Sequence, residues 1–294
     1  MAGSIYKNAD GRAAIRRCYD EFVAELGVPI GERTVRTRFG DTHVLVAGPE
    51  LAPPLVIFHG GNVVNPVSLR WFLPLIHEFR VYAPDTIGHP GKSAETRVSP
   101  RDCSYGQWVV DLLDGLGLEK APMIGPSYGG GILLRTAAFA PERIAKAVLL
   151  VPASVAHGPL WPMLTGIVIP MLRYRLFPRR ARLAGAVMPM FTEAPDGRLL
   201  DLIHHVYLDV VLEPGMPKTA TRAELAGFAA PTLLLAAEKD IFFPASRVVP
   251  RAKEIIPNLV RCEVIRGSCH YPSQESIRLI NGLIRTFLTD AGPR

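Results

Sequence analysis

A serine held between glycines is the part of this chain best suited to chemistry. In Met123-Ile124-Gly125-Pro126-Ser127-Tyr128-Gly129-Gly130-Gly131 a short apolar run enters a Gly-x-Ser-x-Gly turn, and residues 132–140 continue as a helix-like segment. A strand reversing sharply into a helix puts the central serine in strained backbone, with its hydroxyl pointing away from the sheet. Glycines flank it because a Cβ at either place would collide across the turn. The next amide, that of Tyr128, opens the helix, and helix N-termini favour negative charge. The chemistry implied is attack by the Ser127 hydroxyl, with the Tyr128 amide holding the resulting oxyanion. A serine hydroxyl is a poor nucleophile at neutral pH, so a base must stand within hydrogen-bond reach.

The elements that must position this turn are legible from hydrophobic period. Residues 10–26 read as a surface helix with Ile15, Tyr19, Phe22 and Leu26 on one face, Asp10 at its start and Gly27 at its end. Two short strands are expected at 34–39 and 43–47, with Gly40-Asp41 as the turn between them. Residues 55–58 form a continuous apolar strand of the kind buried on both faces, running into His59-Gly60-Gly61-Asn62. A helix at 68–79, a strand at 80–83 and a helix carrying Tyr105, Trp108, Leu112 and Leu116 follow. Beyond Ser127, strands are expected at 147–151, 232–236 and 260–265, and helices at 245–256 and 276–288. Alternating strands and helices imply an α/β fold, a mainly parallel central sheet with helices on both faces.

That regularity stops at residues 156–222. The segment has several prolines, Met163, Met171, Met188, Met190 and Trp161, and apolar residues at helical spacing. It reads as a helical lid inserted above the C-terminal ends of the strands, so the core is expected at 1–155 and 223–294. Its methionines and Trp161 either pack onto the core or line an apolar pocket for an acyl chain or aromatic group, with Trp161 and Met163 the expected substrate contacts. Arg173, Arg175, Arg179, Arg180 and Arg182 make either a solvated lid face or an attractor for an anionic substrate or a lipid surface.

Composition narrows the class. Hydrophobic residues at 48% and charged ones at 20% suit a chain of 294 residues with a substantial core. The net charge of +6 is concentrated in the lid arginines, without a basic stripe interleaved with aromatics, so no nucleic-acid partner is expected. Cys18, Cys103, Cys262 and Cys269 match neither a zinc site nor a redox pair and read as free thiols of a reducing compartment. The N-terminus lacks an apolar signal core, and the most apolar run, 159–172, is too short and proline-rich to span a bilayer. A cytoplasmic monomer or homodimer without stable membrane insertion is expected.

Taken together, the motifs resemble the α/β-hydrolase fold family, of the serine esterase and C–C hydrolase type. They occur in the family's order: His59-Gly60-Gly61-Asn62, Asp85 to Ser93, Gly125 to Gly130, Glu238-Lys239-Asp240-Ile241-Phe242-Phe243-Pro244 and Gly267-Ser268-Cys269-His270. The likeness covers most of the chain apart from the lid. It implies a triad of Ser127 as nucleophile, His270 as base and Asp240 as acid, with Glu238 the near competitor for the acid. Cys269 stands where the family usually has glycine. Tyr128 and either Gly61 or Asn62 would supply the oxyanion amides, and His59 would organise its loop. Asp85 to Ser93 reads as a buttress of that loop. His204 and His205 lie in the lid and read either as surface or helix residues or, for one of them, as a substrate contact.

The activity implied is hydrolysis of a small apolar carboxylic ester, or a thioester, through an acyl-enzyme, without cofactor or metal. The same triad also serves C–C bond hydrolases, lactonases and perhydrolases, and the fold serves small-molecule receptors. Activity should fall at acid pH as His270 protonates.

Overall fold

A strand buried on both faces must be apolar along its whole length, and the central strands here meet that demand. In the computed structural model, which describes residues 3–290, Leu55, Val56 and Ile57 are fully buried, as is every residue from Thr232 to Ala237. The outer ends of the expected core, residues 1–2 and 291–294, lie outside the described residues. The strands are β1 (Gly31–Thr37), β2 (Gly40–Ala47), β3 (Pro54–Ile57), β4 (Arg80–Pro84), β5 (Ala121–Pro126), β6 (Ile144–Leu150), β7 (Thr232–Ala237) and β8 (Leu259–Ile265). The helices are α1 (Ala9–Glu25), α2 (Asn65–Leu69), α3 (Ser104–Leu116), α4 (Tyr128–Phe139), α5 (Leu160–Met163), α6 (Ile169–Leu176), α7 (Arg180–Val187), α8 (Gly197–Asp209), α9 (Ala245–Ile255) and α10 (Gln274–Thr289).

The strands form one sheet in the order β1-β2-β4-β3-β5-β6-β7-β8. From β4 onward neighbours are parallel, while β1 and β2 form an antiparallel hairpin on the β4 edge. The chain moves outward from β3 to β4, then crosses back to place β5 on the other side of β3. Such a reversal opens a crevice at the strands' C-terminal ends, where ligands of open α/β sheets bind. The loops after β3 and β5, with His59-Gly60-Gly61 and Ser127, both sit at this point. Between β6 and β7 the chain departs from the sheet and builds α5 to α8.

Three local expectations are corrected by the structure. Thr37 pairs with Gly40, so the hairpin turn is Arg38-Phe39 rather than Gly40-Asp41. Asp111 on α3 accepts from the Arg38 amide at 2.8 Å and from its guanidinium at 2.8 and 2.9 Å, which holds the turn one step earlier. The expected helix at 68–79 is α2 followed by a 3-10 segment, Arg70–His77. Pro74 lies inside it, and a proline removes an amide donor and collides with the preceding turn of an α-helix. At α1 the cap is Asn8, whose Oδ1 accepts from the Gly11 amide at 2.7 Å, and not Asp10.

A buried polar cluster ties the hairpin to the Asp85 loop. His43 lies between Glu32 (3.0 Å) and Asp85 (3.3 Å), with the Tyr19 hydroxyl donating to Asp85 at 2.9 Å. Burial opposes charge on His43, but the Asp85 and Glu32 carboxylates outweigh it, and the His43 pKa is raised. Protonated His43 therefore stabilises the fold fully below its unfolded pKa, and this contribution fades as pH rises through the folded value. In urea unfolding, His43→Gln is expected to lose more stability relative to wild type at about pH 5 than at about pH 9. A pH-independent difference would remove the charge from this account.

Candidate active site

The turn after β5 has the strain its sequence implies. Ser127 sits at φ 50°, ψ −117°, locked by its amide donating to Leu150 O at 2.9 Å and its carbonyl accepting from Gly130 and Ala153 at 2.9 Å each. A Cβ on Gly125 would stand 2.5 Å from the Gly129 carbonyl oxygen, and one on Gly129 would stand 2.7 Å from Phe58 Cβ. Backbone atoms in a locked turn have no room to retreat. Gly125→Ala is expected to cost on the order of 2–3 kcal/mol of stability, read as a lowered melting temperature.

Ser127, His270 and Asp240 meet in space. His270 Nε2 is 2.9 Å from Ser127 Oγ, and His270 Nδ1 is 2.7 Å from Asp240 Oδ2. The other carboxylate oxygen, Asp240 Oδ1, accepts from the amides of Phe242 (2.8 Å) and Phe243 (3.1 Å). An acceptor-only carboxylate on Nδ1 requires the ring proton there, leaving Nε2 to accept the serine hydroxyl. The Asp240 side chain is fully buried, and Phe242, Phe243 and Tyr271 surround the imidazole. Glu238 is exposed and turned elsewhere, accepting from the Gly267 amide at 2.7 Å. Gly267 supplies the left-handed backbone of the His270 loop at φ 69°, whereas Cys269 does not adopt positive φ, so a side chain fits where the family's glycine stands.

The loop after β3 is organised by buried neutral imidazoles. Burial lowers the pKa of both His59 and His89. His59 Nε2 accepts from the Thr86 amide at 2.8 Å, so its Nδ1–H donates to Gly60 O at 2.7 Å. His89 Nδ1 accepts from the Asn62 amide at 3.4 Å and its Nε2 faces the Tyr105 hydroxyl, itself 2.9 Å from the Tyr128 hydroxyl. Asn62, at φ 51°, also clamps the far end of the insertion: its Nδ2 donates to Glu213 O at 3.1 Å and its Oδ1 accepts from the Glu213 amide at 2.9 Å. Asp85 accepts from the Lys92 amide and its carbonyl accepts from Ser93 Oγ, so this stretch buttresses the site without reaching Ser127.

Above the triad lies a cavity of about 350 Å³. Gly61, Tyr128, Ser127 and His270 form its base, and Met163, Ile167 and Met171 of the insertion wall one side. Trp161, expected beside Met163 as a substrate contact, is instead 72% exposed and outside the cavity lining. The reason is rotational: two residues apart on a helix, the side chains point to different faces. His204 and His205 also lie off the lining, paired with Tyr174 and Asp209. The opposite wall is built from residues that their sequence pattern alone does not single out. Leu202, Val206 and Tyr207 come from α8, and Trp71 and Tyr271 from the core. The period-3.6 pattern of α8 marked an apolar face but not what it faces. Burial pushes the Tyr271 phenol up to about 12, so it stays protonated. The insertion also grips the histidine loop: Thr192 Oγ1 accepts from the Cys269 amide at 2.8 Å and donates to Tyr271 O at 2.9 Å.

Comparison with known proteins agrees with this architecture. A family model described as "alpha/beta hydrolase fold" matches residues 53–209. The "Uncharacterized carboxylesterase nap" of Bacillus subtilis (strain 168) is 28% identical, with 97% of this chain and 96% of that protein covered. "Carboxylesterase YbfK" of the same strain is 26% identical, with 92% of each covered. The solved structure of naproxen esterase (carboxylesterase NP) from Bacillus subtilis superposes with a TM-score of 0.83 at 25% identity, covering 96% of this chain and 100% of that one. With its sheet order, its serine turn and a family model spanning more than half its length, the chain belongs to the α/β-hydrolase fold family.

Proposed function

We propose that the protein hydrolyses a neutral, apolar carboxylic ester through Ser127, His270 and Asp240. The observation that carries this reading is the continuous hydrogen-bond relay from Ser127 Oγ through His270 to Asp240 at the floor of an apolar cavity. Ser127 Oγ attacks the ester carbonyl as its proton passes to His270 Nε2. The carbonyl oxygen becomes an oxyanion, held by the amides of Tyr128 and Gly61. Gly61 is preferred to Asn62 because the Asn62 amide is engaged by His89. The C–O bond to the alcohol breaks as Nε2 returns the proton to it. Water, deprotonated by the same nitrogen, then attacks the acyl-enzyme and frees the acid and Ser127.

Among the described residues no lysine or arginine lines the cavity, and its lining includes the Glu213 carboxylate. Glu213 is paired with Arg97 at 3.0 Å. An anionic substrate would find no cation there, which favours a neutral ester over an anionic diketone. The relatives' names, as carboxylesterases, point the same way.

A fluorophosphonate probe should label Ser127, read by peptide mass, and p-nitrophenyl esters should turn over many times per enzyme. Each acyl methylene buried in the cavity contributes about 0.8 kcal/mol, so kcat/KM should climb roughly fourfold per added methylene until the cavity is full. Labelling elsewhere, or a single slow turnover, would sink the reading and favour a ligand-binding role.

A further inference from the structure

The insertion presents a surface that the active site does not use. From Leu160 to Leu176 the chain runs as one helical stretch: α5, a π-helical turn from Leu164 to Val168, and α6. Its inner face, Ile167 and Met171, is buried toward the cavity. Its outer face is apolar and open to solvent: Trp161 is 72% exposed, Leu172 55% and Leu176 72%, followed by Phe177 at 64%. Val168 and Ile169 are also exposed, and on α6 positions 169, 172 and 176 recur at three- and four-residue steps and so share one side of that helix. Thr165, a polar residue of this stretch, turns its hydroxyl back to the Trp161 carbonyl at 3.0 Å. Soluble proteins rarely leave so continuous an apolar strip to water without a partner.

Charge identifies the partner's chemistry. No Asp or Glu occurs between Glu142 and Glu193, while Arg173, Arg175, Arg179, Arg180 and Arg182 fall inside that interval. By helical geometry Arg173 and Arg175 flank the Leu172–Leu176 row on its two sides. Arg180 is paired with Asp201 and Arg182 stacks on Phe177, whereas Arg173, Arg175 and Arg179 are exposed and meet no carboxylate among the described residues. A second copy of the chain docking through this face in a two-fold contact would oppose arginines with arginines. An anionic bilayer surface instead satisfies both features, accepting Trp, Phe and Leu into its interface and pairing the guanidinium groups with lipid phosphates.

We propose that the outer face of the helical stretch Leu160–Leu176, with Phe177 and the arginines around it, docks the protein peripherally on anionic lipid surfaces. Val168 is at once exposed and part of the cavity lining, so docking brings the cavity wall against the bilayer. This inference concerns binding and stands whether or not the ester reading does.

The test is co-sedimentation of the full chain with vesicles of phosphatidylcholine alone and of phosphatidylcholine containing roughly a third phosphatidylglycerol. The protein should pellet with the anionic vesicles and release as salt rises from about 0.05 to about 0.5 M. With about 1 kcal/mol per arginine near the surface, Arg173→Gln with Arg175→Gln should weaken binding roughly 30-fold. Leu176→Gln with Phe177→Gln should weaken it further at every salt concentration. Hydrolysis of a short soluble ester, or the circular dichroism melt if no ester is cleaved, should be unchanged in both variants and shows that they are folded. Equal partitioning onto both vesicle types, or none at low salt, overturns the proposal. So does a dimer in solution that Leu176→Gln dissociates, because a second copy then covers the strip.

Discussion

Ser127→Ala is expected to lower kcat/KM for a p-nitrophenyl ester by about 10⁴- to 10⁶-fold, the scale seen when a triad nucleophile is removed. In the proposed reaction the hydroxyl oxygen forms the acyl bond, and among the described residues no other serine or cysteine side chain hydrogen-bonds His270. Cys269, next in sequence, directs its amide to Thr192 and is not part of the cavity lining. Stability should not follow activity. Ser127 holds positive φ at a turn whose hydrogen bonds are made by its backbone, and these survive the substitution. The melting temperature should therefore stay within a few degrees of wild type. Ser127→Gly should raise it, since glycine adopts that backbone without strain, unless the added freedom of the unfolded chain cancels the gain. Retained activity in Ser127→Ala, measured on protein free of wild-type contamination, would end the catalytic assignment while leaving the fold untouched.

Asp240→Asn should reduce kcat by roughly 10³- to 10⁴-fold with little change in KM. The geometry dictates how. Asp240 Oδ1 accepts two amide protons, from Phe242 and Phe243, and only the asparagine carbonyl oxygen can replace it there. The asparagine NH₂ must then face His270 Nδ1, donating to a nitrogen that had itself been the donor. The ring proton moves to Nε2, which can no longer accept from Ser127. Asp240→Ala leaves the ring free to choose its tautomer, so in this site it should impair kcat less severely per molecule than its loss of packing suggests, but destabilise more, because it orphans the two amides in a buried place. Equal kcat for Asp240→Asn and wild type would show that the hydrogen bond at Nδ1 does not select the tautomer.

The parts of this site that were readable in advance are those dictated by local stereochemistry. Ser127 between Gly125 and Gly129 announces a turn that only small flanking residues permit, and the apolar runs of β3, β5, β6 and β7 announce a sheet covered on both faces. His270 and Asp240 were placed by resemblance of their short motifs, each at the end of a strand. Local reading is overridden by a distant contact in one place and by a breaker within the segment in another. Asp111 moved the hairpin turn, and Pro74 divided a helix that hydrophobic period had made continuous. Aromatic and methionine content describes a pocket's chemistry without saying which side of the helix faces it, and Trp161 faces solvent.

The chain order of residues determined which groups are available: a strained serine after β5, a carboxylate after β7, a histidine after β8, and an arginine-rich helical insertion with apolar residues on both its faces. Tertiary structure decided their partners. It chose Asp240 over Glu238, occupied the Asn62 amide with His89, and turned Met163 inward and Trp161 outward. Side-chain type and period act over a few residues, whereas the partners of His270 and of the Asn62 amide are groups distant in sequence that neighbouring strands, β7 with β8 and β3 with β4, bring together at their C-terminal ends.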